Sequence, residues 1–193
     1  MGDGAPDPAC FPADLTALLD HVGAGRAALV GQSMGGWKVL GCALAMPARM
    51  THLVLAATLA GLTDDAILAR LAELHGPGRP FDSRQALAPD FPVRDPVRTF
   101  LYEEIAALNP PLAPAFLGAL IRLRYPAARD GLGMPVTFIA GGRDQLFPPD
   151  VIRMAHARLP GAALVVVPEA GHSAYFECPE EFNRALAIAL AGG

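Results

Sequence analysis

The sequence predicts an α/β fold in which a mostly parallel sheet is flanked by helices and carries an inserted helical cap. Two observations predict the sheet: four short apolar runs occur along the chain, and helical patterns alternate with them. A third observation predicts the cap, because a long stretch with helical patterns and no strand-like run separates the second apolar run from the third. The chain has 193 residues, of which 52% are hydrophobic, so it can bury a sizeable core.

The elements follow from local patterns taken in chain order. Residues 1–12 form a polar arm rich in proline and glycine. A first helix is predicted by apolar residues at the spacing of one helix face: Leu15, Leu18, Leu19 and Val22. The apolar runs predict strands at 27–30, 52–58, 136–140 and 163–167, and a closing helix is expected at 179–191.

Two units are predicted, a core of residues 1–61 and 127–193 and a helical cap of residues 62–126. Pockets in open parallel sheets form outside the carboxyl ends of the strands, so the cap is expected to cover the pocket. The aromatic residues of the cap are candidates for the lining of an apolar site or for the core of the cap itself: Phe81, Phe91, Phe100, Tyr102, Phe116 and Tyr125.

Composition excludes several classes of partner. The net charge is −4 without a run of Lys or Arg, which argues against nucleic acid. No apolar run approaches the roughly 18 residues that span a bilayer, and the N-terminus lacks the pattern of a secretion signal, so no membrane partner is expected. The three distant cysteines Cys10, Cys42 and Cys178 indicate reduced thiols and a cytoplasmic location. Without metal or nucleotide motifs, no metal and no cofactor is implied.

The stretch that organises the chain is Gly31-Gln32-Ser33-Met34-Gly35-Gly36, which lies between the first predicted strand and a helical pattern. A G-x-S-x-G pattern in this context predicts a sharp turn with Ser33 at its apex. Gly31 and Gly35 are expected there because a side chain at either position would crowd the neighbouring strand or helix. The alternative is a glycine-rich connection in which the serine is incidental.

A serine hydroxyl becomes a nucleophile only when a neighbouring base removes its proton, and histidine oriented by a carboxylate suits that task. Ser33, Asp144 and His172 each follow a predicted strand, so they are expected to converge at one edge of the sheet. Taken singly, Asp144 has the alternative of a turn residue and His172 that of a turn or interface residue. Rival carboxylates lie elsewhere in the chain: Asp64, Asp65, Asp150 and Glu169.

These motifs, in the order Ser, Asp, His, resemble those of the α/β-hydrolase family. The likeness spans about residues 11–190 and rests on four runs: Gly31-Gln32-Ser33-Met34-Gly35-Gly36, Gly141-Gly142-Arg143-Asp144 followed by Pro148-Pro149, Gly171-His172-Ser173, and Phe176 to Phe182. The resemblance implies that Ser33 is the nucleophile, His172 the general base and then acid, and Asp144 the residue that orients the imidazole. It also implies that the backbone N–H of Met34 donates to the oxyanion.

The resemblance further implies hydrolysis of an ester, a lactone or a similar carbonyl in a small, fairly apolar substrate through an acyl-enzyme. Gln32 and the run that contains Trp37 look like the esterase and enol-lactonase branch, so both residues are candidate substrate contacts. Two other enzyme activities stay open as alternatives, those of a carbon–carbon bond hydrolase and of a cofactor-free perhydrolase. A third alternative is a non-catalytic remnant or a module that binds a small ligand.

One departure from the family is expected. Members resemble this chain only after several earlier strands, which supply a second oxyanion donor from a His-Gly-type loop, whereas 26 residues precede the first predicted strand here. The resemblance therefore implies a member without its N-terminal strands and without the second donor, and losing such a donor costs about 3–4 kcal/mol of barrier. The natural chain then starts upstream, or it is a truncated paralogue, or the exposed edge of the sheet pairs with a second copy in a homodimer.

Overall fold

In the part of the chain that the structure describes, four parallel strands form one sheet. The computed structural model describes residues 10–76, 82–109, 114–126, 128 and 132–192. The strands lie side by side in chain order: β1 (Ala27–Gln32), β2 (Met50–Ala56), β3 (Val136–Gly141) and β4 (Ala163–Val167). The four predicted strands and the mostly parallel sheet are therefore confirmed.

Helices occupy the connections among these described residues. They are α1 (Phe11–His21), α2 (Gly35–Ala45), α3 (Asp65–His75), α4 (Phe91–Arg94), α5 (Pro96–Ala107), α6 (Pro114–Arg122), α7 (Pro149–His156), α8 (Ala174–Glu177) and α9 (Pro179–Ala191). Two of these helices start at an aspartate that caps them, since Asp64 and Asp95 accept backbone N–H groups of α3 and α5. Single turns of 3-10 helix lie at Pro47–Arg49 and Ser83–Ala86.

Both faces of the sheet are covered, which explains why the strands read as continuous apolar runs. Successive residues of a strand point to opposite faces. Leu53 and Leu55 of β2 lie in the larger core with residues of α1, α2 and α7, whereas Val54 and Ala56 pack in a second cluster with Phe182 of α9.

In the described part of the segment between β2 and β3, helices are joined by turns and loops, and no strand is found. Its helices α3 and α6 contribute Ile67 and Phe116 to the same core as the sheet, while the side chain of Phe100 on α5 is 63% exposed. The predicted boundaries of a cap at 62–126 stay a prediction. Phe81 and residues 1–9 of the predicted arm lie outside the described residues.

Among the described strands, β1 pairs with β2 alone and so lies at an edge of the sheet, with Val30 44% exposed. Pairing of this edge with a second copy stays a prediction. Cys42 is fully buried in the larger core, and none of the three cysteines forms a disulfide. In the described ranges, no helix has both the length and the apolar character needed to cross a membrane.

Candidate active site

The turn between β1 and α2 places Ser33 in an unusual backbone conformation. Its φ is +50°, in the left-handed region that side chains other than glycine seldom adopt. The N–H of Ser33 donates to the carbonyl of Ala56 at 2.9 Å, and the carbonyl of Ser33 accepts from the N–H of Gly36 at 2.9 Å. These two bonds hold the strained turn against β2 and the start of α2.

Close packing around this turn requires two of its glycines. A Cβ on Gly31 would lie 2.6 Å from the carbonyl oxygen of Gly35 and 2.5 Å from a methyl group of Val39. A Cβ on Gly36 would lie 2.2 Å from the hydroxyl oxygen of Thr58, whereas a Cβ on Gly35 would meet no atom within 4 Å. The expectation for Gly31 is confirmed and that for Gly35 is wrong, because Gly36, one position along α2, faces the segment after β2.

The structure brings Ser33, Asp144 and His172 together at the carboxyl ends of β1, β3 and β4. The imidazole Nε2 of His172 lies 2.7 Å from the Oγ of Ser33, and its Nδ1 lies 2.9 Å from Oδ2 of Asp144. The residues of these pairs are 139 and 28 positions apart in the chain. Asp144 and His172 are both buried, with 3% and 4% of their surface exposed.

The second oxygen of Asp144 determines how the carboxylate faces the imidazole. Oδ1 accepts the backbone N–H groups of Leu146 at 2.8 Å and Phe147 at 3.0 Å, so Oδ2 is directed at His172. A carboxylate can only accept, so in the neutral ring Nδ1 carries the hydrogen and Nε2 offers its lone pair to the hydroxyl of Ser33. The ring of Phe147 packs edge-on against the imidazole, with 5.4 Å between the ring centres.

Distant segments hold the loop that carries His172. The side-chain amide of Gln32 donates to the carbonyl of His172 at 3.2 Å, and the backbone N–H of Ser173 donates to the carbonyl of Ala86 at 2.9 Å. The hydroxyl of Tyr102 on α5 lies 2.8 Å from the hydroxyl of Ser173. Gln32, a candidate substrate contact in the sequence, is therefore engaged with the backbone of His172.

Trp37, the other candidate substrate contact, is buried in the core, and its contact with a substrate stays a prediction. The residue is 1% exposed and belongs to the larger core. Its indole N–H donates to the carbonyl of Leu123 at 3.2 Å, so its polar atom is used inside the protein. A large aromatic side chain on the inner face of α2 packs in the core because burial removes its apolar area from water.

Met34 directly follows Ser33 and is the N-cap residue of α2. Backbone N–H groups in the first turn of a helix have no acceptor within the helix, and the helix dipole adds positive potential there. This end of α2 is therefore suited to stabilise negative charge that develops next to Ser33.

The rival carboxylates lie in other contacts. Asp64 caps α3 and pairs with an arginine. The other three carboxylates also pair with arginines: Asp65, Asp150 and Glu169. Asp144 is the carboxylate hydrogen-bonded to the imidazole of His172.

Sequence reasoning missed Glu177, which it treated only as part of the run that begins the closing helix. The residue is 6% exposed, and its carboxylate accepts backbone N–H groups from Ala88 at 2.7 Å and Gly171 at 2.8 Å. The available signal was a single acidic residue next to aromatic residues, five positions after His172. That signal is weak because nothing local indicates which backbone groups the carboxylate would reach.

The arrangement is suited to nucleophilic attack by an oxygen. The hydroxyl hydrogen of Ser33 can pass to Nε2 of His172 along the 2.7 Å contact, while Asp144 stabilises the resulting imidazolium. The N-terminus of α2 lies beside the attacking oxygen, where an oxyanion forms during acyl transfer.

Comparison with known proteins gives a consistent result. Residues 1–185 match the model of the Alpha/beta hydrolase family. The chain is 28% identical to the "Putative carbamate hydrolase RutD" of Caulobacter sp. (strain K31), an alignment that covers 93% of this chain and 70% of that protein. It is 26% identical to a pimeloyl-(acyl-carrier protein) methyl ester esterase of Neisseria meningitidis serogroup B, with 94% of this chain and 77% of that protein covered.

Among solved structures, the enol-lactonase from Burkholderia xenovorans LB400 is similar in fold, with a TM-score of 0.72. The superposition covers 98% of this chain and 75% of the lactonase. Sequence identity is 17%, a level at which the likeness shows the fold alone.

Proposed function

The chain belongs to the alpha/beta hydrolase family, and on that premise we propose that it cleaves an ester or lactone of a small, fairly apolar substrate through an acyl-enzyme. One observation carries the proposal: the hydroxyl of Ser33 contacts Nε2 of His172, whose Nδ1 contacts Asp144. The names of two relatives, a carbamate hydrolase and a methyl ester esterase, also support a substrate that is attacked at an acyl carbon.

In the first half of the proposed reaction, Oγ of Ser33 forms a bond to the carbonyl carbon while its proton passes to Nε2 of His172. The carbonyl oxygen becomes an oxyanion, to which the backbone N–H of Met34 donates at the N-terminus of α2. The tetrahedral intermediate then breaks its bond to the leaving alcohol, which takes the proton from Nε2, and an acyl group remains on Ser33.

In the second half, a water molecule attacks the acyl carbon and gives its proton to Nε2 of His172. The new intermediate releases Oγ of Ser33, which recovers that proton, and the carboxylic acid leaves. Throughout both halves, Asp144 keeps the hydrogen of the imidazole on Nδ1 and stabilises the imidazolium as it forms.

Covalent labelling tests this proposal before any substrate is known. An alkyl fluorophosphonate loses fluoride when Oγ of Ser33 attacks its phosphorus, and the adduct is read by intact-mass spectrometry. We expect one adduct per wild-type chain and none in Ser33→Ala. Ser83→Ala is the matched control and should be labelled like the wild type, since Ser83 begins a 3-10 turn and it is the hydroxyl of Ser33 that contacts Nε2 of His172.

Labelling of Ser33→Ala at the wild-type rate, or no labelling of a folded wild-type chain, overturns the proposal. Substrate class is then tested with 4-nitrophenyl esters, a γ-lactone and a 4-nitrophenyl carbamate at equal concentration. We expect turnover of the ester and the lactone that is lost in Ser33→Ala. Turnover of the carbamate alone would reassign the substrate class while leaving the acyl-enzyme intact.

A further inference from the structure

Glu177 is a buried carboxylate that the proposed reaction does not use. It ends α8 and is 6% exposed. Oε1 accepts the backbone N–H of Gly171 at 2.8 Å, and Oε2 accepts the backbone N–H of Ala88 at 2.7 Å. One side chain therefore bridges two backbone segments that are far apart in sequence.

The first segment is the loop that presents the base, since Gly171 directly precedes His172. The second is residues 86–88, here named the clasp segment, which begins at the last residue of the 3-10 turn Ser83–Ala86 in the region between β2 and β3. The two segments are in such close contact that a Cβ on Gly171 would lie 2.3 Å from the backbone nitrogen of Ala88. A side chain at position 171 would therefore separate the two N–H groups that Glu177 joins.

The clasp segment contacts both loops of the site. The carbonyl of Ala86 accepts the N–H of Ser173 at 2.9 Å on one side of His172. The carbonyl of Leu87 accepts the side-chain amide of Gln145 at 3.0 Å, and Gln145 directly follows Asp144. The position of His172 relative to Asp144 is thus coupled to the clasp segment through several hydrogen bonds.

A carboxylate is a costly group to place here. Burial raises the pKa of Glu177, and the hydrogen bonds from Ala88 and Gly171 lower it by less. The charged side chains that act on this pKa are Arg94, which lowers it, and Asp144, which raises it. Glu177 and Asp144 therefore repel each other when both are ionised. Burial of the ionised Glu177 carboxylate opposes folding.

We propose that Glu177 is a positioning residue: by joining Gly171 to Ala88, its carboxylate holds the loop of His172 at hydrogen-bonding distance from Ser33 and ties that loop to the clasp segment. Glu177 acts through the backbone of Gly171 and touches no reacting atom. The inference rests on the proposed function, because it requires His172 to act as the base.

The test compares the rate of fluorophosphonate labelling across pH in the wild type, Glu177→Gln and Glu180→Gln. The amide NH2 of glutamine faces one of the two N–H groups, so one bridge is lost and we expect the rate to fall at least about tenfold. Protonation of Glu177 turns one of its oxygens into a donor, so the wild-type rate should depend on the ionisation of Glu177, whose pKa is raised by burial, and this dependence should be missing from Glu177→Gln. Glu180→Gln removes an exposed carboxylate three positions along the chain and should match the wild type in both respects.

An unchanged rate in Glu177→Gln overturns the proposal, and so does a slower rate that depends on pH as the wild-type rate does, because loss of packing alone gives that result. If Glu177→Gln does not fold, NMR of the wild type decides. The amide protons of Gly171 and Ala88 should then shift with one common ionisation, since one carboxylate accepts both, and separate behaviour overturns the proposal. An unlabelled wild type overturns the proposed function itself, whereas a labelled wild type with an unaffected variant overturns the role of Glu177 alone.

Unfolding by urea gives an independent readout. The pKa of Glu177 in the folded chain is raised above its ordinary value of 4.5. At a pH between these two values, Glu177 is protonated in the folded chain and ionised in the unfolded chain. The stability that this group contributes is present below pH 4.5 and is lost as the pH rises through the folded value. The free energy of unfolding of the wild type should therefore fall relative to that of Glu177→Gln as the pH rises. A rise instead would mean that the ionised carboxylate stabilises the fold, and Glu177 would then have a purely structural role.

Discussion

The turn at Ser33 and the loop at His172 deliver their side chains to the same hydrogen bond, but they are held in different ways. The turn is held by the elements that adjoin it in the chain, β1, α2 and β2: a Cβ on Gly31 would meet Val39, and the N–H of Ser33 donates to Ala56. The loop is held from far away, since Gln32 is 140 residues from His172 in the chain.

The two regions should therefore respond differently to substitutions. A turn made by backbone contact is sensitive to one added methyl group at the wrong position and insensitive to it at the next. A loop held by side chains of other segments is sensitive to each hydrogen bond that reaches it, including that of Tyr102 on α5 with Ser173. The first region is therefore held by elements adjacent in the chain, and the second by segments that are distant in the chain.

The largest effect is expected when the contact between Asp144 and the imidazole of His172 is changed. In Asp144→Asn, the side-chain oxygen is retained by the N–H groups of Leu146 and Phe147, so the amide NH2 faces Nδ1 of His172. The imidazole then carries its hydrogen on Nε2 and cannot accept the proton of Ser33. We expect the rate of ester hydrolysis to fall by about 10⁴-fold.

The matched control is Asp150→Asn, an exposed carboxylate at the start of α7, which should keep the wild-type rate. Initial rates with 4-nitrophenyl acetate measure both variants. If the rate of Asp144→Asn falls less than tenfold, other contacts suffice to orient His172, and the loop depends less on Asp144 than the structure implies.

The next effect tests the turn with two neighbouring glycines. Gly36→Ala places a methyl group against Thr58, which is fully buried and whose hydroxyl accepts the N–H of Ala60 at 3.0 Å. Overpacking of this kind lowers the free energy of unfolding by about 1–3 kcal/mol. Gly35→Ala meets open space at the start of α2, so we expect no loss and a gain of up to about 1 kcal/mol.

Urea unfolding of the two variants at one pH measures this contrast. Equal losses in Gly35→Ala and Gly36→Ala would contradict the assignment of the close contact to the second position. Loss in Gly35→Ala alone would restore the expectation drawn from the G-x-S-x-G pattern.

The smallest effect tests the link between α5 and the loop. Tyr102→Phe removes the hydroxyl that lies 2.8 Å from that of Ser173 but keeps the ring that packs against Phe176. We expect the free energy of unfolding to fall by about 1 kcal/mol and labelling of Ser33 to slow only a few-fold. Tyr175→Phe is the control because Tyr175 is 46% exposed. A loss in Tyr102→Phe that equals the control would show that α5 does not support the loop.

Some of the site could be predicted from sequence because its signals are local. Apolar runs predicted the four strands, and since parallel strands end at the same edge, the residues after them were expected to converge. Ser33, Asp144 and His172 do so. The burial of Trp37 was not predicted, because proximity to Ser33 in sequence does not show which face of α2 a side chain occupies.

The sequence by itself determined the order of strands and helices, the turn at Ser33 and the three residues that meet there, because hydrophobic periodicity and turn chemistry are properties of short segments. Only the tertiary structure decided that Gly36 rather than Gly35 is the close contact and that Trp37 is core. It also decided that Glu177 joins Gly171 to Ala88, 89 residues from it in the chain. Contacts between such distant segments depend on how whole elements pack, and no short pattern in the chain records that packing.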